Sequence, residues 1–315
     1  MNPPPMRASL DAPPATSAAV ATPAASPAHS GTTDSLLLVG PGLIWGASFL
    51  FIAEGLQSVG PNGLTFARIL VGFITLGLVP SARRPIARED RRGVLLLGLI
   101  WLALPLSMFP LAEQRVSSAL TGMLNGANPL FVAIVASAFS RRLPGRDVLV
   151  GLAVGLVGTV LVAWPSLRVG GSSLDGVLFI LAGVTCYGFA LNIARPLQLK
   201  YGALPVIWRA QAWGLLLTAP LGLPELLRAH WSAGPLLSVL ALGALGTGVA
   251  YVLLAVAAGR MGATRAAATT FLIPVVALVL GALVRGEHVA GLSILGGAVC
   301  VAGAWLMRRA QLAEH

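Results

Sequence analysis

From Leu36 to Met307 long apolar runs alternate with short polar or basic stretches. Ten runs stand out, roughly 36–56, 63–80, 93–112, 116–139, 147–164, 175–194, 205–222, 235–257, 263–284 and 288–307. Each has about 18–25 residues, enough for a helix rising 1.5 Å per residue to cross hydrocarbon. Strict apolar–polar alternation is absent, which argues against strands. In lipid every backbone amide needs a partner within its own segment, so the runs are predicted to be helices. The seventh is the least regular, because Arg209 and Gln211 interrupt it.

Composition points the same way. Of 315 residues, 56% are hydrophobic and 10% charged, with a mean hydropathy of +0.84. Soluble domains carry about 25% charged and about 45–50% apolar residues. A soluble enzyme is therefore excluded as a class, and disorder is confined to the ends. Residues 1–34, rich in Pro, Ala, Ser and Thr, read as a disordered tail. Arg7 is followed by no compact apolar run before the first span, so a secretory signal is not expected. Cys186 and Cys300 lie in apolar runs and suggest no disulfide, and His29, His230, His288 and His315 are scattered.

The net charge of +10 would suggest nucleic acid in a soluble chain; here position decides. With the N-terminus cytoplasmic, fourteen basic residues fall in inner loops: Arg83, Arg84, Arg88, Arg91, Arg92, Arg141, Arg142, Arg146, Arg195, Lys200, Arg260, Arg265, Arg308 and Arg309. Four fall outside: Arg115, Arg168, Arg228 and Arg285. That asymmetry matches the positive-inside rule and predicts both termini in the cytoplasm of a bacterial inner membrane, with no nucleic-acid partner.

The chain also repeats itself. At a constant offset of 145, Arg115 matches Arg260, Pro129 matches Pro274, Gly151 matches Gly296 and Gly158 matches Gly303. Earlier in each half, Trp45-Gly46 and Tyr187-Gly188 correspond at an offset of 142. The unit holds five spans, an odd number, so its second copy enters the membrane upside down. The expected fold is an all-α membrane protein of ten transmembrane helices arranged as two inverted five-helix repeats. The first repeat covers 35–164 and the second 174–307, and a short cytoplasmic tail covers 308–315.

The order LIWGASFLFIAEGL, then Pro61 to Arg68, then the Asn128-Pro129-Leu130-Phe131 block before a loop and a Gly-rich helix, resembles the EamA-domain branch of the drug/metabolite transporter superfamily. The resemblance spans about 36–307. It implies a ten-helix inner-membrane carrier of small metabolites working by alternating access. One departure concerns Gly-Glu after the fourth span: the second copy has Gly286-Glu287, whereas the first has Arg141-Arg142.

No P-loop, G-x-S-x-G, H-E-x-x-H or paired intramembrane carboxylate is present, so no enzyme and no cofactor is expected. Glu54, Asp147, Asp175 and Glu287 sit at or near span ends, which disfavours a relay built on a midplane carboxylate. The candidate substrate-binding residues are Trp45, Arg68, Asn125, Asn128, Tyr187, Asn192, Arg209, Tyr251 and Thr270. Two readings of Arg68 stay open: snorkelling to headgroups, or contact with an anionic solute or with Glu54. Arg209 holds the matching place in span seven. Pro129 frees the carbonyl of Asn125, and Thr270 before Pro274 is its counterpart, giving either a central site or glue between helices. Trp101, Gln211 and Trp213 are further aromatic and amide candidates. Gly151, Gly158, Gly296 and Gly303, with Pro129 and Pro274, are expected to serve as packing seams and hinges, with a small-xxx-small homodimer face as one use. The expected function is secondary transport, by export, of a small organic metabolite; a small-molecule channel and a membrane-embedded enzyme are the alternatives. The expected partners are that solute and the lipid bilayer.

Overall fold

The computed structural model describes residues 31–141, 143–169, 172–261 and 266–313. The tail 1–30 lies outside them; helix α1 (Gly31–Gly55) takes up the last four residues of the expected tail. The chain continues through α2 (Pro61–Gly77), α3 (Arg88–Glu113), α4 (Ser118–Ser140), α5 (Arg146–Val169), α6 (Ser172–Tyr201), α7 (Ala203–Leu227), α8 (Ala233–Met261), α9 (Thr269–Arg285) and α10 (Gly291–Ala313). Among the described residues, seven of these helices are long and apolar enough to cross a membrane: α1, α3, α4, α5, α6, α8 and α10. The helix α9 is shorter and apolar, and α10 runs past 307, where the apolar run ends. The architecture is that of an all-α membrane protein. Large exposed apolar side chains such as Leu216, Leu221 and Leu283 coat its outside, as hydrocarbon requires.

Glycines set how closely the helices approach. A Cβ on Gly151 would lie 2.4 Å from the Met307 nitrogen, and one on Gly296 would lie 2.5 Å from that of Val162. A Cβ on Gly158 would lie 2.3 Å from the Cys300 nitrogen, and one on Gly303 would lie 2.2 Å from that of Gly155. Thus α5 and α10 meet backbone to backbone, antiparallel, and no larger residue fits. Each contact becomes its partner when its two residue numbers are shifted by 145 in opposite directions. A second pair behaves alike: Gly98 on α3 abuts the Trp213 Cβ and the Ala210 carbonyl, and Gly243 on α8 abuts the Val71 Cβ and the Arg68 carbonyl. Both glycines stand at wide, π-helical turns, Gly98–Ala103 and Leu242–Val249. Such turns leave carbonyls out of the i→i−4 ladder and are frequent at functional sites.

The helices α4 and α9 are irregular where proline demands it. The first piece of α4 ends at Asn125, and the helix resumes at Asn128-Pro129, with Gly126 and Ala127 bonded back to the Met123 and Leu124 carbonyls at 3.1 and 3.0 Å. The first residues of α9 belong to a tight 3₁₀ stretch, Ala267–Phe271, just ahead of Pro274, whose ring packs on Gly126. Both helices end on a left-handed residue 145 apart, Arg141 (φ 51°) and Gly286 (φ 64°).

Two carboxylates from distant segments cap helix starts at one end of the bundle. Glu225 accepts hydrogen bonds from the Gly63 nitrogen at 2.8 Å and from Asn62 Nδ2 at 2.7 Å at the start of α2. Glu287 accepts from the Ser118 nitrogen (3.1 Å), Ser118 Oγ (2.8 Å) and the Ala119 nitrogen (2.9 Å) at the start of α4. Anions are favoured there, where amide donors have no helical partner. Glu287→Ala is expected to cost about 1–2 kcal/mol of stability, the worth of a lost cap, and Glu287→Gln less, because one acceptor oxygen remains. Thermal unfolding of detergent-purified protein measures both. The opposite end carries Arg83, Arg141, Lys200 and Arg260. There Lys200 pairs with Asp90 at 2.7 Å and Glu89 at 3.2 Å, and Arg260 pairs with Asp34 at 2.8 Å.

Candidate functional site

A cavity of about 280 Å³ lies at the centre of the bundle. The helix α1 contributes Trp45, Ser48, Phe49 and Ile52, α2 contributes Arg68, and α3 contributes Trp101, Leu106 and Phe109. Asn125 and Asn128 enter from the break in α4, Tyr187 and Leu191 from α6, Gly246, Thr247, Tyr251 and Leu254 from α8, and Thr270 and Ile273 from α9. Toward the Glu287 end the cavity stops at Phe49, Ile52 and Phe109, which are packed into a buried apolar cluster with Leu64, Leu120 and Met123. That end is closed.

Aromatic rings form the apolar wall. The Trp45 and Tyr251 centroids are 5.6 Å apart, Trp101 and Tyr251 5.9 Å, and Phe109 and Tyr187 5.8 Å. The two contacts to Tyr251 are edge-on and the Phe109–Tyr187 pair is tilted, arrangements that hold rings in fixed orientations. Trp45 is fixed further, because its indole N–H donates to the Gly246 carbonyl at 2.9 Å. Gly246 lies in the wide turn of α8, which accounts for its carbonyl being available.

Arg68 is the central charge. It is 5% exposed, and its Nε donates to Thr247 Oγ1 at 3.2 Å. Thr247 in turn donates to the Leu242 carbonyl at 3.3 Å, and its own carbonyl accepts from Gln211 Nε2 at 2.6 Å. The guanidinium is thus held from behind, within the bundle. Of the two sequence readings, the structure rules out snorkelling. It also rules out the pair with Glu54, whose carboxylate takes Arg285 and Gln57 instead. Among the described residues no carboxylate pairs with Arg68. Asn125 and Asn128 also line the cavity, and their side-chain oxygens are buried and accept no hydrogen bond. Arg68, Asn125 and Asn128 line one aromatic-walled chamber, and a buried acceptor without a donor is costly to keep.

Of the residues that the sequence pattern nominates, Trp45, Arg68, Asn125, Asn128, Tyr187, Tyr251 and Thr270 line this cavity. Asn192 does not: its Nδ2 donates to the Val132 and Gly188 carbonyls at 3.0 and 2.8 Å and joins α6 to α4. Arg209 does not either. Its Nη2 reaches the Arg83 carbonyl at 3.3 Å and its guanidinium lies 5.4 Å from the Trp208 ring, at the far end of α7. The mirrored contacts at Gly98 and Gly243 pair Arg68 with Ala210, so Arg209 is one residue, and about 100° of helix, away from the equivalent place. The sequence pattern does not single out Ser48 or Thr247, which reach the cavity from ordinary-looking apolar runs.

Comparison with known proteins agrees with this architecture. A family model described as EamA-like transporter family matches residues 33–164 and 174–309. The chain belongs to the EamA-like transporter family. Among similar proteins, the "Uncharacterized transporter YdfC" of Bacillus subtilis is 29% identical over 269 residues, 82% of this chain and 86% of that one. The "Probable terminal-alkyne amino-acid exporter" of Streptantibioticus cattleyicolor is 26% identical, over 86% of this chain and 92% of that one. The "Probable amino-acid metabolite efflux pump" of Salmonella typhimurium is 26% identical, over 84% and 91%. A crystal structure at 20% identity aligns with 90% of this chain and 99% of its own at a TM-score of 0.60, which supports the fold. This EamA-family chain is a multi-pass membrane protein, and its family and its relatives' names point to membrane transport rather than to an enzyme.

Proposed function

We propose that this EamA-family protein is a secondary transporter that exports small zwitterionic carboxylates, of the size and chemistry of amino acids and their derivatives, across the bacterial inner membrane. The observation that carries the reading is that Arg68, which pairs with no carboxylate among the described residues, lines one aromatic chamber with Asn125 and Asn128, whose side-chain oxygens accept no hydrogen bond. Arg68 matches a carboxylate bidentately, the amide oxygens accept from an ammonium group, and the rings receive an apolar side chain. The volume of about 280 Å³ suits such a solute. The names of two relatives, an amino-acid exporter and an amino-acid metabolite efflux pump, favour the same class.

Alternating access follows from ten spans built as two inverted five-helix repeats. The reciprocal glycine contacts, the paired wide turns in α3 and α8, and the paired left-handed caps all support that symmetry. The Arg83–Arg141–Lys200–Arg260 end is cytoplasmic, along with both termini, by the positive-inside rule. With the Glu287 end closed, the chamber is poised to face the cytoplasm. No nucleotide-binding motif is present in the sequence, so an ion or solute gradient drives the cycle. The glycine seam is occupied between α5 and α10 inside one chain, which leaves any homodimer to another face.

The test is counterflow. Vesicles containing the purified protein and preloaded with a mixture of unlabelled L-amino acids should transiently accumulate the same labelled compounds, with a rate that saturates. Non-saturating flux without counterflow would mean a channel and overturn the carrier reading.

A further inference from the structure

The last turn of α3 holds Glu113, four residues beyond the cavity-lining Phe109 and seven beyond Leu106, on the same helix face. Both its carboxylate oxygens are sealed from solvent, and neither accepts a hydrogen bond. The part-buried acids nearby are all answered. Glu54 is held by Arg285 and Gln57, Glu225 by Asn62 and the Gly63 nitrogen, and Glu287 by Ser118, the Ala119 nitrogen and Arg285. The charged groups whose fields reach Glu113 are Glu287 and Arg285 at the end of α9, and Arg68 on α2. Arg285 is engaged by two other carboxylates and Arg68 by Thr247, so none of these neutralises Glu113 directly.

A carboxylate stripped of water, donors and counter-ion is strongly disfavoured, and a pocket of this kind accepts the neutral acid. The pocket lies at the closed end of the bundle, one helical turn, about 6 Å, from the solute chamber. Opening that end would bring water to Glu113 and let its carboxyl exchange a proton with that side. We propose that Glu113 is the proton-carrying residue that couples this transporter to a proton gradient. The inference rests on the carrier reading above. In each cycle Glu113 takes up a proton from water while the outer end is open, which lets that end close over the neutral acid, and gives the proton to water on the cytoplasmic side before the end reopens, so that inward proton flow drives outward solute movement. Only the O–H bond is broken and remade. The group does not touch the solute, so solute binding and proton carriage are separable.

That separation supplies the experiment. Proteoliposomes holding wild-type protein or Glu113→Gln are given an equimolar mixture of radiolabelled L-leucine, L-threonine and L-phenylalanine. Exchange is measured at equal pH on both sides, and uphill accumulation under an imposed pH difference. Wild type should do both. Glu113→Gln should exchange at close to the wild-type rate yet lose the pH-driven accumulation completely. Accumulation that survives in Glu113→Gln overturns the proposal, and so does loss of exchange as well, since that would make Glu113 a structural or solute-binding group. If wild type exchanges none of the three, the carrier reading fails for these solutes, and infrared spectra at neutral pH decide the state of Glu113 on their own. The stretch of a protonated carboxyl, present in wild type and absent from Glu113→Gln, is expected; identical spectra overturn the proposal.

Discussion

Arg68→Ala is expected to abolish transport at ordinary solute concentrations while leaving the protein folded and inserted. A charge-assisted hydrogen bond contributes about 1.5–3 kcal/mol, so losing it should weaken solute affinity by about 10- to 100-fold. Arg68→Lys is the sharper variant. Lysine keeps the charge but loses the planar fork that engages a carboxylate with two N–H groups and lets Nε rest on Thr247. It should insert normally and transport poorly. Initial rates normalised to inserted protein check this, and wild-type rates in Arg68→Lys would remove the bidentate role. Because Arg68 is 5% exposed and turned into the chamber, headgroup anchoring offers no alternative route to a loss of activity.

Gly303→Val should have the largest effect on stability. Even a methyl group at Gly303 would lie 2.2 Å from the Gly155 nitrogen, against backbone that has no flexible side chain to move aside. The two helices must separate, at a cost of at least about 3 kcal/mol, the upper end of what overpacking costs. Separation also forfeits the close backbone contact that stands in for a hydrophobic driving force within lipid. Gly259→Ala is the control, since a Cβ there meets nothing within 4 Å. Thermal unfolding and the monodisperse yield in detergent should separate the two: near-wild-type values for Gly259→Ala, and little folded protein for Gly303→Val. A wild-type unfolding midpoint in Gly303→Val would contradict the seam.

How much of this was legible in the sequence depended on whether chemistry or geometry set the position. The glycines at 151, 158, 296 and 303 recur at one offset because each must admit a backbone, and a requirement for absence of a side chain is visible in letters alone. Pro129 announced the break that brings Asn125 and Asn128 into the chamber, because a missing N–H has the same consequence in any helix. Thr247 and the Gly246 carbonyl were not legible. Their place depends on a wide turn, which adds a residue and rotates every later side chain by about 100°, and nothing in LGALGTGV signals it. Arg209 misled for a related reason, since an error of one residue in aligning the two halves moves a side chain onto another face. Asn192 reads the same from sequence whether it binds a solute or joins two helices, and only its acceptors on α4 and α6 decide. Glu113 looks like any acid at a span end. What sets it apart is the absence of a partner, which no linear pattern records.

The central claim is that one water-accessible chamber between the halves receives the solute, and cysteine labelling tests it most directly. Asn125→Cys and Thr270→Cys are placed separately in protein whose Cys186 and Cys300 have been replaced by alanine, with Leu216→Cys and Val275→Cys as lipid-facing controls. A small, membrane-impermeant thiol reagent should modify positions 125 and 270 and spare 216 and 275. A saturating solute identified by counterflow should slow both reactions. Failure of 125 and 270 to react, or reaction rates unchanged by the solute at both positions, would contradict the account.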